Sequence, residues 1–429
     1  MSEKVDVIVV GAGPAGSAAA YAMAKNGLKT VLIEKGREPG AKNMMGGVLY
    51  CGPLNDLIPN FWQEAPVERP VTRNIITFLT EDSSLSIDFK TQKFHNAPYN
   101  SFTVLRAKFD KWFASKAEEK GATLIPGIRV DELLTDGNKV CGVVAGEDRL
   151  TADVVIAADG ANSFLARKAG LGKDLLPEEM AVGVKEVIEI PKDKVEERFN
   201  LSEDEGAAQH FVGDCTKGIQ GGGFIYTNKT SISLGLVVHL DGLMQKRMEI
   251  YELLDSFKGH PTVKELVKGG NVVEYSAHLV PEGGLDMVPR LYSDGLLVVG
   301  DAAGLAVNNG ITTRGMDFAI ASGVAAAESV KNAFEKKDFS GESLSHYETL
   351  LRNSFVLKDL HTFKGAPKFL KNLRIYSTYP QLICNMLERL YRVDGTPKKK
   401  MWKEAREAMK YRVSLCQLIS DAVKGVRAL

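Results

Sequence analysis

Hydrophobic and polar positions change period several times along this chain of 429 residues, and each change predicts an element. Val5–Val10 (VDVIVV) is a short, nearly continuous apolar run, the pattern of a parallel strand buried on both faces. Helix formers fill Ala18–Lys25, and Thr30–Ile33 is a second apolar run that ends at Glu34. Val154–Ser163 (VVIAADGANS) and Leu296–Gly315 (LLVVGDAAGLAVNNGITTRG) each run from an apolar strand into a turn, with Asp159-Gly160 and Gly300-Asp301 at the tips. Ile311–Val330, rich in Ala, has the spacing of a helix. Between about Glu178 and Leu285 apolar and polar residues alternate, as in Ser231–Val238 (SISLGLVV), which predicts antiparallel sheet with one face covered. The chain is thus α/β. Its strand–helix units fall in residues 1–177 and 286–335, an antiparallel-sheet domain spans 178–285, and a helical region spans 336–429; parts of 50–100 fit either of the first two.

Composition is that of a soluble globular protein, 44% hydrophobic and 25% charged. The first apolar run has no basic-then-apolar leader before it, and no run of 18 apolar residues exists, so neither secretion nor a membrane-spanning helix is expected. Cys51, Cys141, Cys215, Cys384 and Cys416 lie far apart and read as reduced thiols of a cytoplasmic protein, not as a metal cage. Charge changes the picture more. Residues 358–429 carry 16 Lys and Arg against 6 Asp and Glu, a net of +10; the whole chain is neutral, so the first 357 residues carry −10. A basic tail region on an acidic body fits a solvated helical surface, an anionic membrane or acidic protein partners; no nucleic-acid partner is expected.

Candidate chemistry begins at the turn Gly11-Ala12-Gly13-Pro14-Ala15-Gly16. Gly11 permits the tight turn, Gly13 lets a pyrophosphate approach the backbone, and Gly16 lets helix and strand pack closely. The helix N-terminus offers unpaired N–H groups and a positive dipole end to that pyrophosphate. Glu34, 18 residues after Gly16, is placed to accept hydrogen bonds from ribose hydroxyls. These features specify a dinucleotide and leave NAD and FAD open. Asp301, 285 residues after Gly16, decides for FAD. A carboxylate at the mouth of a buried strand is costly unless its acceptor sites are used. A ribityl hydroxyl or a water on the pyrophosphate would use them. The N-terminus of the helix that follows is expected to face the isoalloxazine, where about half a positive charge favours the reduced ring.

The three turns, in this order and spacing, resemble the glutathione-reductase-type FAD-binding fold, in its branch with an Asp-Gly motif at Asp159-Gly160. Aromatic hydroxylases, geranylgeranyl reductases and electron-transfer-flavoprotein:quinone oxidoreductases share that branch. Gly40–Gly47 (GAKNMMGG) resembles the family's loop over the flavin, Val104–Gly121 the helix whose arginine, here Arg106, approaches the cofactor, and Gly127–Val130 a strand whose backbone at Val130 meets adenine. The resemblance implies cofactor contacts at Gly11, Gly13, Pro14, Ala15, Gly16, Glu34, Lys35, Asn43, Gly46, Gly47, Arg106, Val130, Asp159, Gly160, Gly300, Asp301, Gly310, Ile311 and Thr312. The Tyr-x-Trp-x-Phe-Pro signature of geranylgeranyl reductases is missing from Gly221–Leu236, where GGGFIY is similar to the quinone oxidoreductases, as are His260–Gly270, Glu274–Gly284 and Thr312–Gly323. The chain looks closest to the Fix/Etf C-type flavoproteins.

That resemblance implies electrons entering from electron-transfer flavoprotein alpha and beta type subunits, residing on FAD and leaving to a membrane quinone. Mitochondrial relatives end in a four-cysteine iron–sulfur domain. Only Cys384 and Cys416 follow residue 335 here, too few for four thiolates, so the cluster is expected in a separate ferredoxin-like subunit. The enzyme is then expected at the inner face of the cell membrane, touching it peripherally. Gly223, Phe224 and Tyr226 are candidate quinone contacts; Phe224 and Tyr226 share a strand face, which suits core packing equally. No acid–base–nucleophile constellation is evident, and His239 and His278 are read as ordinary core or surface groups. Other uses of the scaffold are a prenyl-lipid reductase, a monooxygenase and a non-catalytic FAD-binding subunit.

Overall fold

In the computed structural model, which describes residues 4–41, 47–410 and 412–429, the run Val5–Val10 is an inner strand of a sheet. Asp148–Ala157 pairs with it in parallel on one side, Val154 opposite Val7, and Thr30–Glu34 on the other, Thr30 opposite Val7. Leu296–Val298 extends the sheet in parallel beyond Asp148–Ala157, and Thr123–Pro126 extends it beyond Thr30–Glu34. Val7, Ile8 and Val9 are fully buried, as a strand covered on both faces requires. Three backbone bonds align the strand ends: Gly11 N–H to Ile33 O (2.7 Å), Ala158 N–H to Val10 O (2.9 Å) and Val299 N–H to Ala157 O (3.0 Å). The glycine turn, the Asp159 turn and the Asp301 turn therefore open at one edge of the sheet.

The helix after the glycine turn runs Pro14–Lys25, starting earlier than Ala18 because a proline at the first position presets the helical φ. Its cap residue Gly13 has no side chain, so the first N–H groups are left for a ligand. Gly11 sits at φ 105°, where an L side chain is strained, and a Cβ on Gly16 would lie 1.8 Å from the Gly11 carbonyl oxygen. The long helix Met316–Lys336 packs against Pro14–Lys25, and a Cβ on Gly323 would come within 2.3 Å of the Ala15 oxygen.

Two expectations need correction here. The helix expected over 311–330 begins at Met316. Asn309 Oδ1 accepts from the backbone N–H of Ile311 (3.0 Å) and Thr312 (2.7 Å), making a side-chain-capped turn that competes with helix, so Val307–Asn308 and Thr313–Arg314 pair as a hairpin instead. Gly127–Val130 is not a strand: pairing stops at Pro126, and Gly127 and Ile128 donate instead to Gly36 and Glu34 carbonyls.

Among the described residues the second sheet has nine strands, in the order Asn271–Pro281, Met180–Glu189, Ser231–His239, Gly221–Thr227, Gly206–Gly213, Val67–Leu79, Ser101–Val104, Val48–Tyr50, with Ser84–Lys90 paired to Val67–Leu79. The alternating region is thus completed by strands from 48–104. One pairing, Gly206–Gly213 with Val67–Leu79, is parallel, so the sheet is mixed and not wholly antiparallel. Helices Lys192–Arg198, Ile250–Gly259 and Pro261–Val267 cover one face through Val195, Leu253, Phe257 and Val263. Arg69 fastens the early strands to the later ones. Fully buried, it donates to the oxygens of Asn228 (2.8 Å), Glu205 (2.9 Å) and Lys229 (3.1 Å) and pairs with Glu196 (3.0 Å).

The C-terminal helices dock onto the first sheet, where Tyr347 Oη donates to Val298 O (3.0 Å). The basic segment after Lys400 forms two helices, Met401–Met409 and Leu415–Ala428, the second begun by a capping box of Ser414 and Gln417. Asp421, buried on one side of that last helix, accepts from Asn372 (2.8 Å), Arg374 (2.8 Å) and Tyr379. Replacing Arg69 by Met strands the buried Asn228 and Glu205 carbonyls and removes the pairing with half-buried Glu196, so Arg69→Met should cost about 2–5 kcal/mol, read as a lower melting temperature by circular dichroism.

Candidate functional site

Between the two sheets lies a cavity of about 620 Å³, a size typical of cofactor and substrate sites. At one end are the glycine turn, Glu34 and Lys35; at the other are Gly221–Phe224, Tyr226, His239 and Glu282. Glu34 is buried and accepts from Ala12 N–H (3.0 Å) and Gly36 N–H (2.6 Å), which aims its remaining lone pairs into the cavity.

Arg106 is buried and clasped by Asp110 through two 2.7 Å bonds, and its charge acts on Asp301. Burial raises the Asp301 carboxyl above the usual range while Arg106 opposes the shift; among the described residues no donor bonds to this side chain. Asp159 has one oxygen on Leu165 N–H (3.0 Å), and its other oxygen is buried without a partner among the described residues. Its carboxyl is likewise raised by burial, against the Leu165 bond and the Lys35 charge. Unused acceptors at Asp159 and Asp301 and unpaired N–H groups at the Pro14 helix, strung along one long cavity, fit a dinucleotide with a polyhydroxyl middle.

The expected cofactor residues fall into three groups. Gly11, Gly13, Pro14, Ala15, Glu34, Lys35, Gly47, Arg106, Val130, Asp159, Gly160, Asp301, Gly310 and Ile311 line the cavity. Gly16, Gly300 and Thr312 do not: Gly16 packs on Gly11, Gly300 donates to Ser322 Oγ (2.9 Å), and Thr312 bonds Asn309. Asn43 and Gly46 lie outside the described residues. The long helix starts later than expected, yet its cap Gly315 and first residue Met316 face the cavity.

On the opposite wall, Phe224 and Tyr226 stack at 4.8 Å and 19°, and His210 Nε2 lies 3.3 Å from Tyr226 Oη. Tyr226 also lies so close to Gly47 that a Cβ there would come within 2.3 Å of its ring. Gly223 contributes backbone, since its missing side chain makes room for Phe257. Several lining residues carried no sequence signal. Lys185 and His210 reach the wall because distant strands pair, Glu282 follows the end of one such strand, and Arg314 stands in the local 307–314 hairpin. His239 is a buried core group, and both it and His278 line the cavity. Burial lowers His210 and His239 to about 4 and also lowers His278, so all three are neutral near pH 7.

Comparison with known proteins agrees with this geometry. Residues 6–172 match the family model described as FAD dependent oxidoreductase, 180–280 that of ETF-QO, ubiquinone-binding, and 366–429 that of the ETF-QO/FixC family C-terminal domain. The first of these, with the fold and cavity, defines an FAD-dependent oxidoreductase. The chain is 47% identical over 427 residues to a probable electron transfer flavoprotein-quinone oxidoreductase, YdiS, of Escherichia coli, covering 100% of this chain and 99% of that one. It is 45% identical to Escherichia coli FixC and 42% identical to Azotobacter vinelandii FixC, each covered completely. The chain belongs to the FixC/ETF-quinone oxidoreductase family. A geranylgeranyl bacteriochlorophyll reductase-like protein of Thermoplasma acidophilum shares the fold (TM-score 0.74, 24% identity, 99% of each chain), as does a flavin-dependent brominase (TM-score 0.63, 17% identity, 98% of this chain and 97% of that one).

Asp301→Ala removes an acceptor from the cavity wall and should weaken FAD retention roughly tenfold or more. Flavin absorbance per chain after gel filtration measures the loss, and Asp301→Asn should retain part of it.

Proposed function

We propose that this chain passes electrons from an electron-transfer flavoprotein of alpha and beta type subunits to a membrane quinone, as one subunit of a complex whose iron–sulfur cluster sits on a separate ferredoxin-like subunit. The observation that carries this reading is the shared cavity: the turns that fit FAD and the Gly221–Tyr226 wall, in the region matching the ubiquinone-binding model, face one space. FAD supplies the ability to take and release electrons singly or in pairs. The chain contributes the stacked aromatic pair Phe224 and Tyr226 and a hydrogen bond between His210 and Tyr226 that orients the phenol.

Access from a bilayer is supported by the last helix. Leu415, Ile419, Val423 and Val426 form a stripe at helical spacing, 46–87% exposed, on the side away from Asp421. Lys424, Arg427 and Lys398–Lys400 flank it in sequence. The helix ends with Leu429 against Gly310, whose neighbour Ile311 is exposed at the cavity rim. Among the described residues no helix is long and apolar enough to cross a membrane, so contact at the cytoplasmic face is peripheral in this reading. Each Lys or Arg near an anionic leaflet adds about 1 kcal/mol, and apolar side chains add more by burial.

Two measurements test this. The purified holoprotein should reduce a water-soluble ubiquinone analogue only when reduced electron-transfer flavoprotein is supplied. Turnover on isoprenoid double bonds without that partner would indicate a prenyl-lipid reductase, and failure of the bound flavin to reduce would indicate a scaffold. The protein should also float with anionic vesicles at low salt and release as salt rises, and Ile419→Glu with Val423→Glu should weaken that binding at least about tenfold. Absence of vesicle binding at low salt would leave the basic surface to protein partners.

A further inference from the structure

Reducing a quinone to its quinol takes two electrons and two protons, whereas an electron-transfer flavoprotein delivers net electrons. The protons must come from solvent, and a positioned carboxylic acid on the cavity wall delivers one to the quinone oxygen faster than water alone. This inference rests on the quinone reading above.

Most titratable groups on the cavity wall cannot serve near neutral pH. His210 and His239, lowered by burial to about 4, are already unprotonated, as is the lowered His278. Burial pushes the Tyr226 and Tyr376 phenols upward, beyond easy release. Lys185 is tied to Glu274 at 3.3 Å, and Arg314 to Asp317 and Asp359 at 2.6 Å each. Asp159 and Asp301 stand with the turns that fit the cofactor.

Glu282 differs in position and in chemistry. It follows the strand Asn271–Pro281 directly, fixed by its own N–H to Glu179 O (2.8 Å). It lines the main cavity and also a side pocket of about 30 Å³, large enough for a water molecule. Asn308 Nδ2 donates to its Oε2 (3.1 Å); among the described residues there is no second hydrogen-bond partner and no cation within ion-pair distance. Gln220 lines both spaces and reaches His239 at 2.8 Å. The titratable groups sharing this end are His239 and Tyr376, both uncharged near neutrality. Burial pushes the Glu282 carboxyl up to about 7, with the Asn308 bond opposing. An acid poised near the working pH is the most effective proton donor.

We propose that Glu282 is the proton-delivering residue of this cavity, protonating the nearer carbonyl oxygen of the bound quinone and regaining its proton from water in the side pocket. In each turnover the Glu282 O–H bond breaks as one quinone O–H bond forms. The second proton reaches the other oxygen from water at the cavity mouth. The two electrons come from the oxidoreductase activity, so two solvent protons are consumed per quinol.

Infrared difference spectra of the purified holoprotein across neutral pH should show the carbonyl band of a protonated carboxylic acid. The band should vanish with a midpoint near 7 and be missing in Glu282→Gln. Quinone turnover by the wild type should fall as pH rises through that midpoint, because the acid form is the donor. Glu282→Gln should lower kcat about 10²–10⁴-fold and remove that limb, with flavin content unchanged, and Glu282→Asp should restore a shifted limb. A wild type that reduces quinone, paired with a Glu282→Gln variant of unchanged rate and pH profile, overturns the proposal alone. So does the absence of a titrating carboxylic acid band. A wild type that reduces no quinone overturns the functional reading and the proposal with it.

Discussion

The close approach of two helices from opposite ends of the FAD-binding region holds the site together. Pro14–Lys25 and Met316–Lys336 meet where Gly323 admits the Ala15 carbonyl, and small residues such as Ala18, Ala19, Ala326 and Ala327 are buried in the same core. Close packing here fixes more than a helix pair. Ser322 on the long helix accepts from Gly300 N–H, so the turn bearing Asp301 is set by the same contact that seats the glycine turn. A bulkier residue at Gly323 would separate two turns that must grip one ligand, because a packed interior transmits such a shift.

The cavity is electrically graded. Toward the glycine turn it holds carboxylates with unused acceptor sites beside Arg106 and Lys35, a setting for hydroxyls and phosphates. Toward the second sheet it holds aromatic rings, neutral imidazoles, Lys185 paired with Glu274, and the Glu282 carboxyl that burial raises. Desolvation governs both ends: it raises the acids and lowers the histidines. What differs is whether a fixed charge opposes it, as Arg106 does at Asp301, or only a neutral amide, as Asn308 does at Glu282.

Local patterns made the first sheet legible in the sequence. Val5–Val10 and Thr30–Glu34 are read from continuous apolar runs, and the turn between them from glycines whose spacing follows from close packing. The second sheet was legible only in part, because alternation reveals a strand but not its neighbour. Nothing near Val67–Leu79 marks it as the parallel partner of Gly206–Gly213, so which strands of 48–104 join the second sheet, and the buried role of Arg69, stayed hidden, although parts of 50–100 could be assigned to either domain. The hairpin at 307–314 was obscured by a helix-compatible composition; the Asn309 side chain decided otherwise. Asp159 and Asp301 could be singled out because a carboxylate ending a buried strand is conspicuous. Glu282 could not, since only packing of the end of the second sheet against the 307–314 hairpin brings it beside Asn308.

The C-terminal helices are part of the chamber itself, for Leu370, Ile375 and Tyr376 stand in its wall. Their attachment runs through Tyr347 to the first sheet and through Asp359 to Arg314, which also stacks over Tyr50, Phe318 and Phe355. Whatever grips the outer surface of this region, lipid or protein, therefore pulls on the same scaffold that bounds the inner space. Docking from outside and the shape offered to a small molecule within are mechanically one variable.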